Sequence, residues 1–333
     1  MKKSTDLPMY ESNTPPKIGR NSTQGDKNYK APLFPILNWT QYENNPIISA
    51  NPDHGWESSY VYNPTAMVID DMVIVMYRAQ NSSLMSTMGL AWSTDGYNFT
   101  RYTEPVFYPT ESYEKKGTED PRLIRVNGTF YLTYTGWSDS DGVKLCLATS
   151  DDLINWNKTG PVLPDIKHSK SGAILNERQA DGNYYMHWGD TELYLAVSND
   201  LVHWSNATDD AYAKGLLEWE QKLIESGPPP VKTRDGKWLK VYNGVADKAT
   251  DDGKYVKGQY STGQMLVDLS LYPDSPVARL ETPILTPDTD DEKKGQVDNV
   301  LFSEGLVQFK GQWLMYFGEA DTHLGVASAP VQP

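Results

Sequence analysis

Five short apolar runs recur along the chain, each the length of one strand and each bounded by turn residues. They read Met72-Val-Ile-Val-Met-Tyr-Arg78, Phe130-Tyr-Leu-Thr-Tyr-Thr-Gly136, Tyr184-Tyr-Met-His-Trp-Gly-Asp190, Trp238-Leu-Lys-Val-Tyr-Asn-Gly244 and Trp313-Leu-Met-Tyr-Phe-Gly-Glu319. Four follow a turn that carries glycine, at Asn127-Gly128, Asp181-Gly182, Asp235-Gly236 and Lys310-Gly311, and the first follows Asp70-Asp71. Asn-Gly or Asp-Gly ahead of an alternating run is a hairpin signal, because the tightest hairpin turns need positive φ at their centre. Each run therefore pairs with a strand that precedes it.

Two more elements repeat. Leu90-Ala-Trp-Ser-Thr-Asp-Gly-Tyr-Asn-Phe99, Leu147-Ala-Thr-Ser-Asp-Asp-Leu-Ile-Asn-Trp156 and Leu195-Ala-Val-Ser-Asn-Asp-Leu-Val-His-Trp204 each read as a strand, an Asp-centred turn and an aromatic that packs back. A short apolar tetrad led by Pro or Lys follows, as in Glu104-Pro-Val-Phe and Thr282-Pro-Ile-Leu. Four strands per unit and five units, spaced by roughly 55 to 75 residues, predict an all-β fold, a five-bladed β-propeller. A sandwich would not require fivefold internal similarity. Residues 1–30 are polar and read as an irregular N-terminal arm without its own core. Residues 31–333 read as a single propeller, the catalytic domain. Only the stretch 209–214 hints at a helix.

Composition narrows the function. The 333 residues carry 44 acidic against 30 basic side chains, a formal charge of -14, which repels phosphate backbones and makes nucleic acid a poor partner. No apolar stretch is long enough for a membrane helix. A single cysteine, Cys146, excludes a disulfide framework and a Cys-based zinc site; its alternating surroundings make it a buried small hydrophobe. The five His are scattered, and no metal or cofactor is expected. No signal peptide opens the chain, yet Asn-x-Ser/Thr sequons such as Asn81 and Asn127 favour an exported protein, periplasmic or extracellular.

In a propeller the first strand of each blade lines the axis. Those strands begin near Tyr62-Asn63-Pro64, Gly117-Thr-Glu-Asp120-Pro-Arg122, Lys170-Ser-Gly, Glu225-Ser-Gly-Pro-Pro-Pro230 and Asp298-Asn299 through Glu304. Asp120, Lys170, Glu225 and Glu304, with Arg78 at the end of a second strand, would form one polar cluster. Two carboxyls among Tyr and Trp suit glycoside cleavage, in which one must be protonated and the other ionised. Burial raises one pKa, and a nearby Arg or Lys lowers the other. Taken singly, Asp120 could instead form a structural pair with Arg122, and either Glu could be a surface residue.

The motifs Gly117-Thr-Glu-Asp-Pro-Arg122, Ser226-Gly-Pro-Pro-Pro230, Asn63-Pro64, Tyr77-Arg78 and Phe317-Gly-Glu-Ala-Asp321 resemble glycoside hydrolase family 130 over roughly residues 40–330, and most closely its β-1,2-mannosidase branch. The resemblance implies a five-bladed propeller acting on β-mannosides with inversion, with Asp120 as general acid and Arg78, Arg122 and Lys170 near the sugar. It also implies substrate contacts from Asn63, His187, Trp188, Asp190, Tyr242, Asn243 and Asp321. The phosphorylase pattern carries His-Arg where this chain has His187-Trp188, and Tyr-His-Gly where it has Tyr242-Asn243-Gly244. Glu225 and Glu304 stand where phosphorylases usually carry small or neutral residues. The expectation is therefore an exo-acting, inverting β-1,2-mannosidase in which Glu225 or Glu304 activates water. The alternatives are a phosphorylase releasing mannose 1-phosphate and a non-catalytic sugar-binding propeller. The arm could also reach a second subunit in a homo-oligomer.

Overall fold

The computed structural model describes residues 9–271 and 276–333. Nearly all its regular structure is antiparallel strand, in five units of sequential hairpins. Unit one comprises Tyr60–Ile69, Met72–Gln80, Ser86–Ser93 and Thr100–Tyr102, and unit two Gly117–Val126, Thr129–Ser138, Gly142–Ser150 and Asn157–Pro161. Unit three is shorter, with Ala173–Ile174, Tyr184–Trp188, Tyr194–Ser198 and Ser205–Asn206. Unit four runs Leu223–Ser226 and Val231–Lys232, then Trp238–Val245, Tyr260–Val267 and Ala278–Arg279. Its first strand is split because Pro228, Pro229 and Pro230 have no N–H for the ladder. Unit five takes Leu301–Phe309, Gln312–Glu319 and His323–Pro330, and receives its outer strand, Thr40–Gln41, from the start of the chain. A single parallel bridge, Ser86 to Gly117, joins units one and two into one sheet, so the described strands form four sheets.

The core lies between units. Apolar clusters fill the spaces between units one and two, two and three, three and four, and four and five. A further cluster, with Val75 and Tyr77 against Leu314 and Tyr316, joins unit five back to unit one. Cys146 is fully buried in the first of these. The Asp-centred turns form as expected. Ser93, Ser150 and Ser198 hydroxyls accept from the amides of Gly96, Leu153 and Leu201, and Asp95, Asp152 and Asp200 accept from the next two amides. Trp156 and Trp204 pack back and donate to the Leu153 and Leu201 carbonyls at 3.1 and 3.0 Å.

The stretch 209–214 is not helical; the one α-helix among the described residues is Asp290–Lys293, capped by Thr289. The described part of the arm, from residue 9 on, lies across the units. Tyr10–Ser12 pairs with Thr100–Tyr102, and Arg125 donates to the carbonyls of Gly19, Arg20 and Ser22. The remaining eight residues of the expected arm lie outside the described residues.

A second repeat was not anticipated. Ahead of three first strands stands an aromatic-Glu pair: Trp56-Glu57, Tyr113-Glu114 and Trp219-Glu220. Each Glu is fully buried and takes the hydroxyl of the next second-strand tyrosine. Tyr77 donates to Glu57 at 2.8 Å, Tyr134 to Glu114 at 2.6 Å and Tyr242 to Glu220 at 2.6 Å. An outer-strand cation closes each triad: Arg101, Lys158 and Arg279.

Candidate active site

Three first strands break register at one place each: between Tyr62 and Pro64, between Glu119 and Arg122, and between Ser303 and Gly305. The residues left out of the ladder are Asn63, Asp120 with Pro121, and Glu304. Asn63 and Asp120 sit at positive φ, 46° and 52°. A bulge breaks the in-out alternation and re-aims its side chain, which is how three different strands present a polar group to one place. Glu225 comes from the end of its strand, opposite Asn243.

The network is continuous. Arg78 Nη1 donates to Asp120 Oδ1 at 3.1 Å, and Lys170 Nζ lies 2.9 Å from Asp120 Oδ2. The same ammonium is 3.3 Å from Glu225 Oε1, which also accepts from the Ser171 hydroxyl. Arg122 is fully buried; it donates through Nε to the Gly227 carbonyl at 2.9 Å and through Nη2 to the Ser226 carbonyl. Arg122 Nη2 also stands 2.9 Å from Glu304 Oε1, but neither Glu304 oxygen has an aligned hydrogen bond. The expected Asp120–Arg122 side-chain pair is not the one made: Arg122 reaches the Asp120 carbonyl instead, at 3.3 Å.

Burial works against charge on every carboxyl here. For Asp120, the cations Lys170, Arg78 and Arg122 outweigh burial and hold its pKa below the usual carboxylate range. For Glu225, burial outweighs Lys170 and the pKa rises. Burial, opposed by Arg122 and helped by the Asp120 charge, pushes Glu304 up to about 8. Asp321, at φ 51°, is pushed up to about 6 by burial against the pull of Arg78. This reverses the expected division. Asp120, assigned as the acid, is the ionised group while Lys170 and Arg78 grip it. Glu304, a candidate base, holds a proton at neutral pH.

Not every anticipated residue reaches this cluster. Asp190 stands near Lys170, its amide neighbour Gly189 donating to the Lys170 carbonyl at 3.0 Å, and its carboxylate lies 2.9 Å from His168. His187 is sealed completely, its ring 4.9 Å from that of Tyr212 and both nitrogens without a partner. Trp188 is buried against Tyr194 and donates to Asn206. Tyr242 belongs to a buried triad. Asn243 is fully buried and braces unit five, exchanging bonds with the backbone of Ser303 at 3.0 and 2.9 Å. Missed residues include Glu119, which accepts from Arg78 at 2.8 Å, and Tyr62, whose ring lies 4.6 Å from the Arg78 guanidinium. Both immediately precede an Asx-Pro bulge, and that shared position was the available signal.

A cavity of about 660 Å³ lies elsewhere. It lies toward the other end of the first strands, among Met67, Leu123, Asn176, Val231 and Leu306, beneath Gln24–Ala31, and none of Asp120, Glu225 or Glu304 lines it. Among the described residues no group of three His, Cys, Asp or Glu is placed to hold a metal.

A family model described as β-1,4-mannooligosaccharide phosphorylase, glycoside hydrolase family 130, matches residues 27–333. A 1,2-β-oligomannan phosphorylase of Thermoanaerobacter sp. (strain X514) is 33% identical over 297 residues, 85% of this chain and 94% of its own length. A β-1,2-mannobiose phosphorylase of the same strain is 35% identical over 304 residues, covering 86% and 96%. A solved structure is described in the words that this family of mannoside phosphorylases contains glycoside hydrolases targeting β-1,2 mannosidic linkages in Candida mannan. It is 30% identical, with a TM-score of 0.79, over 91% of this chain and 99% of its own. These matches span nearly the whole chain, and the protein belongs to glycoside hydrolase family 130, whose members act on β-mannosides.

Proposed function

We propose that residues 31–333 fold as a five-bladed propeller that cleaves β-1,2-linked mannosides with inversion, releasing one mannosyl unit at a time from the substrate. The observation that carries the reading is the buried network in which Arg78 and Lys170 grip Asp120, Glu225 shares Lys170 and Glu304 faces Arg122. The apolar clusters between all neighbouring units, the fifth and first included, support the propeller. When sugar hydroxyls draw off Lys170 and Arg78, only Arg122 still opposes burial, so the Asp120 pKa rises and its carboxylate can take up a proton and pass it on. Asn63, Asp190 and Asp321 remain as partners for the sugar.

Phosphorolysis, giving mannose 1-phosphate, is the better backed of two acceptor readings. The curated relatives are named β-1,2-mannoside phosphorylases. One of the two arguments raised against phosphate loses force at the site. Glu304, its pKa pushed up to about 8 by burial, repels an anion less than an ionised carboxylate would. A phosphate also needs no general base, whereas a Glu304 protonated at neutral pH is a poor one. Hydrolysis is the second reading, favoured by the solved relative whose description names hydrolases. Export to meet extracellular mannan fits either acceptor.

Incubation with β-1,2-mannobiose, with and without phosphate, separates them. Mannose 1-phosphate formed only when phosphate is present supports phosphorolysis. Two mannoses at an equal rate without phosphate mean hydrolysis. No cleavage under either condition, with saturable binding, leaves a sugar-binding propeller.

A further inference from the structure

Lys240 is a buried amine that neither acceptor reading uses. It is fully enclosed, and its one hydrogen bond among the described residues is to the Ser226 hydroxyl, at 2.9 Å. Burial, with Arg122 nearby, holds its pKa well below the usual lysine range. Its position is normally apolar. Units one and two place Val75 and Leu132 two residues before the triad tyrosine, both fully buried. Unit four places Lys240 there, before Tyr242. A buried polar group with a single partner costs stability that a hydrophobe would not.

The neighbouring backbone shows what the amine could supply. The first strand of unit four loses its ladder after Gly227, whose amide donates to the Val241 carbonyl at 3.2 Å. Pro228, Pro229 and Pro230 offer no donor, and pairing resumes only at Val231. Yet the segment Glu225–Gly227 carries much of the site. It bears Glu225, and the carbonyls of Ser226 and Gly227 hold the Arg122 guanidinium that faces Glu304. Lys240 ties this segment down from behind, where the prolines cannot.

We infer that Lys240 is a positioning residue: through Ser226 it fixes the Glu225–Gly227 segment, and with it Glu225 and the Arg122 that faces Glu304. The inference rests on the mannoside-cleaving reading and holds for either acceptor. The test compares K240M, S226A and the double variant on β-1,2-mannobiose, with thermal unfolding of each. K240M is expected to lower kcat about tenfold, in the range of a misplaced catalytic group, while KM moves by less than about twofold. Its unfolding temperature should not fall, since methionine fills the same space. S226A should lose a similar factor in kcat, and the double variant no more than the worse single one, because one contact is removed in each case. K240M with wild-type kcat, or losses that multiply in the double variant, would overturn the inference. If K240M does not fold, S226A decides alone: unchanged kcat overturns it. A wild type inert to β-1,2-mannobiose with and without phosphate removes the mannoside reading itself, and with it this inference, and the wild-type control shows which has failed.

Discussion

The molecule buries acids in two ways. In the Tyr77–Glu57–Arg101, Tyr134–Glu114–Lys158 and Tyr242–Glu220–Arg279 triads, each carboxylate has a hydroxyl and a cation, and further donors besides. Glu220 also accepts from the amides of Leu216 and Leu217, and Glu57 lies 2.7 Å from His54. In the Asp120–Glu225–Glu304 network three carboxyls meet three cations, Arg78, Lys170 and Arg122, but Glu304 lacks an aligned hydrogen bond. Burial of acids is therefore no mark of a site in this fold. What separates the two regions is the carboxylates themselves: every triad carboxylate is hydrogen-bonded, while Glu304 leaves the central network with capacity for a ligand.

The largest effect expected from this contrast is on catalysis. Replacing Asp120 by Asn keeps the shape but removes the proton carrier, and should cut β-mannoside cleavage by about a hundred- to ten-thousandfold. The fold should survive, because Arg78 keeps Glu119 and Lys170 keeps Glu225. A D120N enzyme retaining more than a tenth of wild-type turnover, in whichever of the phosphate and phosphate-free assays is productive, would remove Asp120 from the chemistry.

The triads should answer in stability instead. Glu220→Ala strands Arg279 and the Tyr242 hydroxyl in the interior, and breaking such a buried pair costs about 3–5 kcal/mol. Urea unfolding should report that loss, while kcat per folded molecule stays close to wild type. Loss of activity without loss of stability would show that the triads serve the reaction and that the contrast between the regions is false.

The sequence made the repeat readable because most units share their punctuation: a Gly turn before the second strand in four of them and a Ser-x-Asp turn after the third in three. It also showed Asp120, Lys170, Glu225 and Glu304 as a group, because each falls in a polar stretch that opens an otherwise apolar first strand. It did not show the charge states. Asp120 differs from Glu304 not by residue type but by having Lys170 and Arg78 at its oxygens, and those contacts join three units distant in the chain. His187 and Asn243 misled for the same reason. A motif gives position along a strand but not which face the neighbouring unit covers. The aromatic-Glu pairs were visible as letters, yet a Glu ahead of a strand looks like solvent-facing charge until its tyrosine is placed over it.

A smaller effect sharpens the comparison through pH. Glu304 has a folded pKa of about 8 against an ordinary value of 4.5. The folded state thus binds this proton more tightly than the unfolded chain does. Its stabilising contribution is full below about pH 4.5 and is lost as pH rises through about 8. Asp321, pushed up to about 6, adds a loss of the same sign that ends earlier. Asp120 has the opposite sign, its contribution lost only as pH falls through a value below the usual carboxylate range, so it does not act between pH 5 and 8. Wild-type stability should therefore decline by up to a few kcal/mol across that window, as burial and the Arg122 charge compete over Glu304. A glutamine side chain cannot ionise, so E304Q should decline less steeply than the wild type, losing the Glu304 share while Asp321, Glu225 and Glu319, whose pKa values are also raised by burial, keep theirs. Denaturant midpoints at pH 5, 6, 7 and 8 measure both curves. Parallel curves would mean that Glu304 is already ionised at neutral pH. It would then be available as a base for water, and the charge argument that favours phosphate at this site would fail with it.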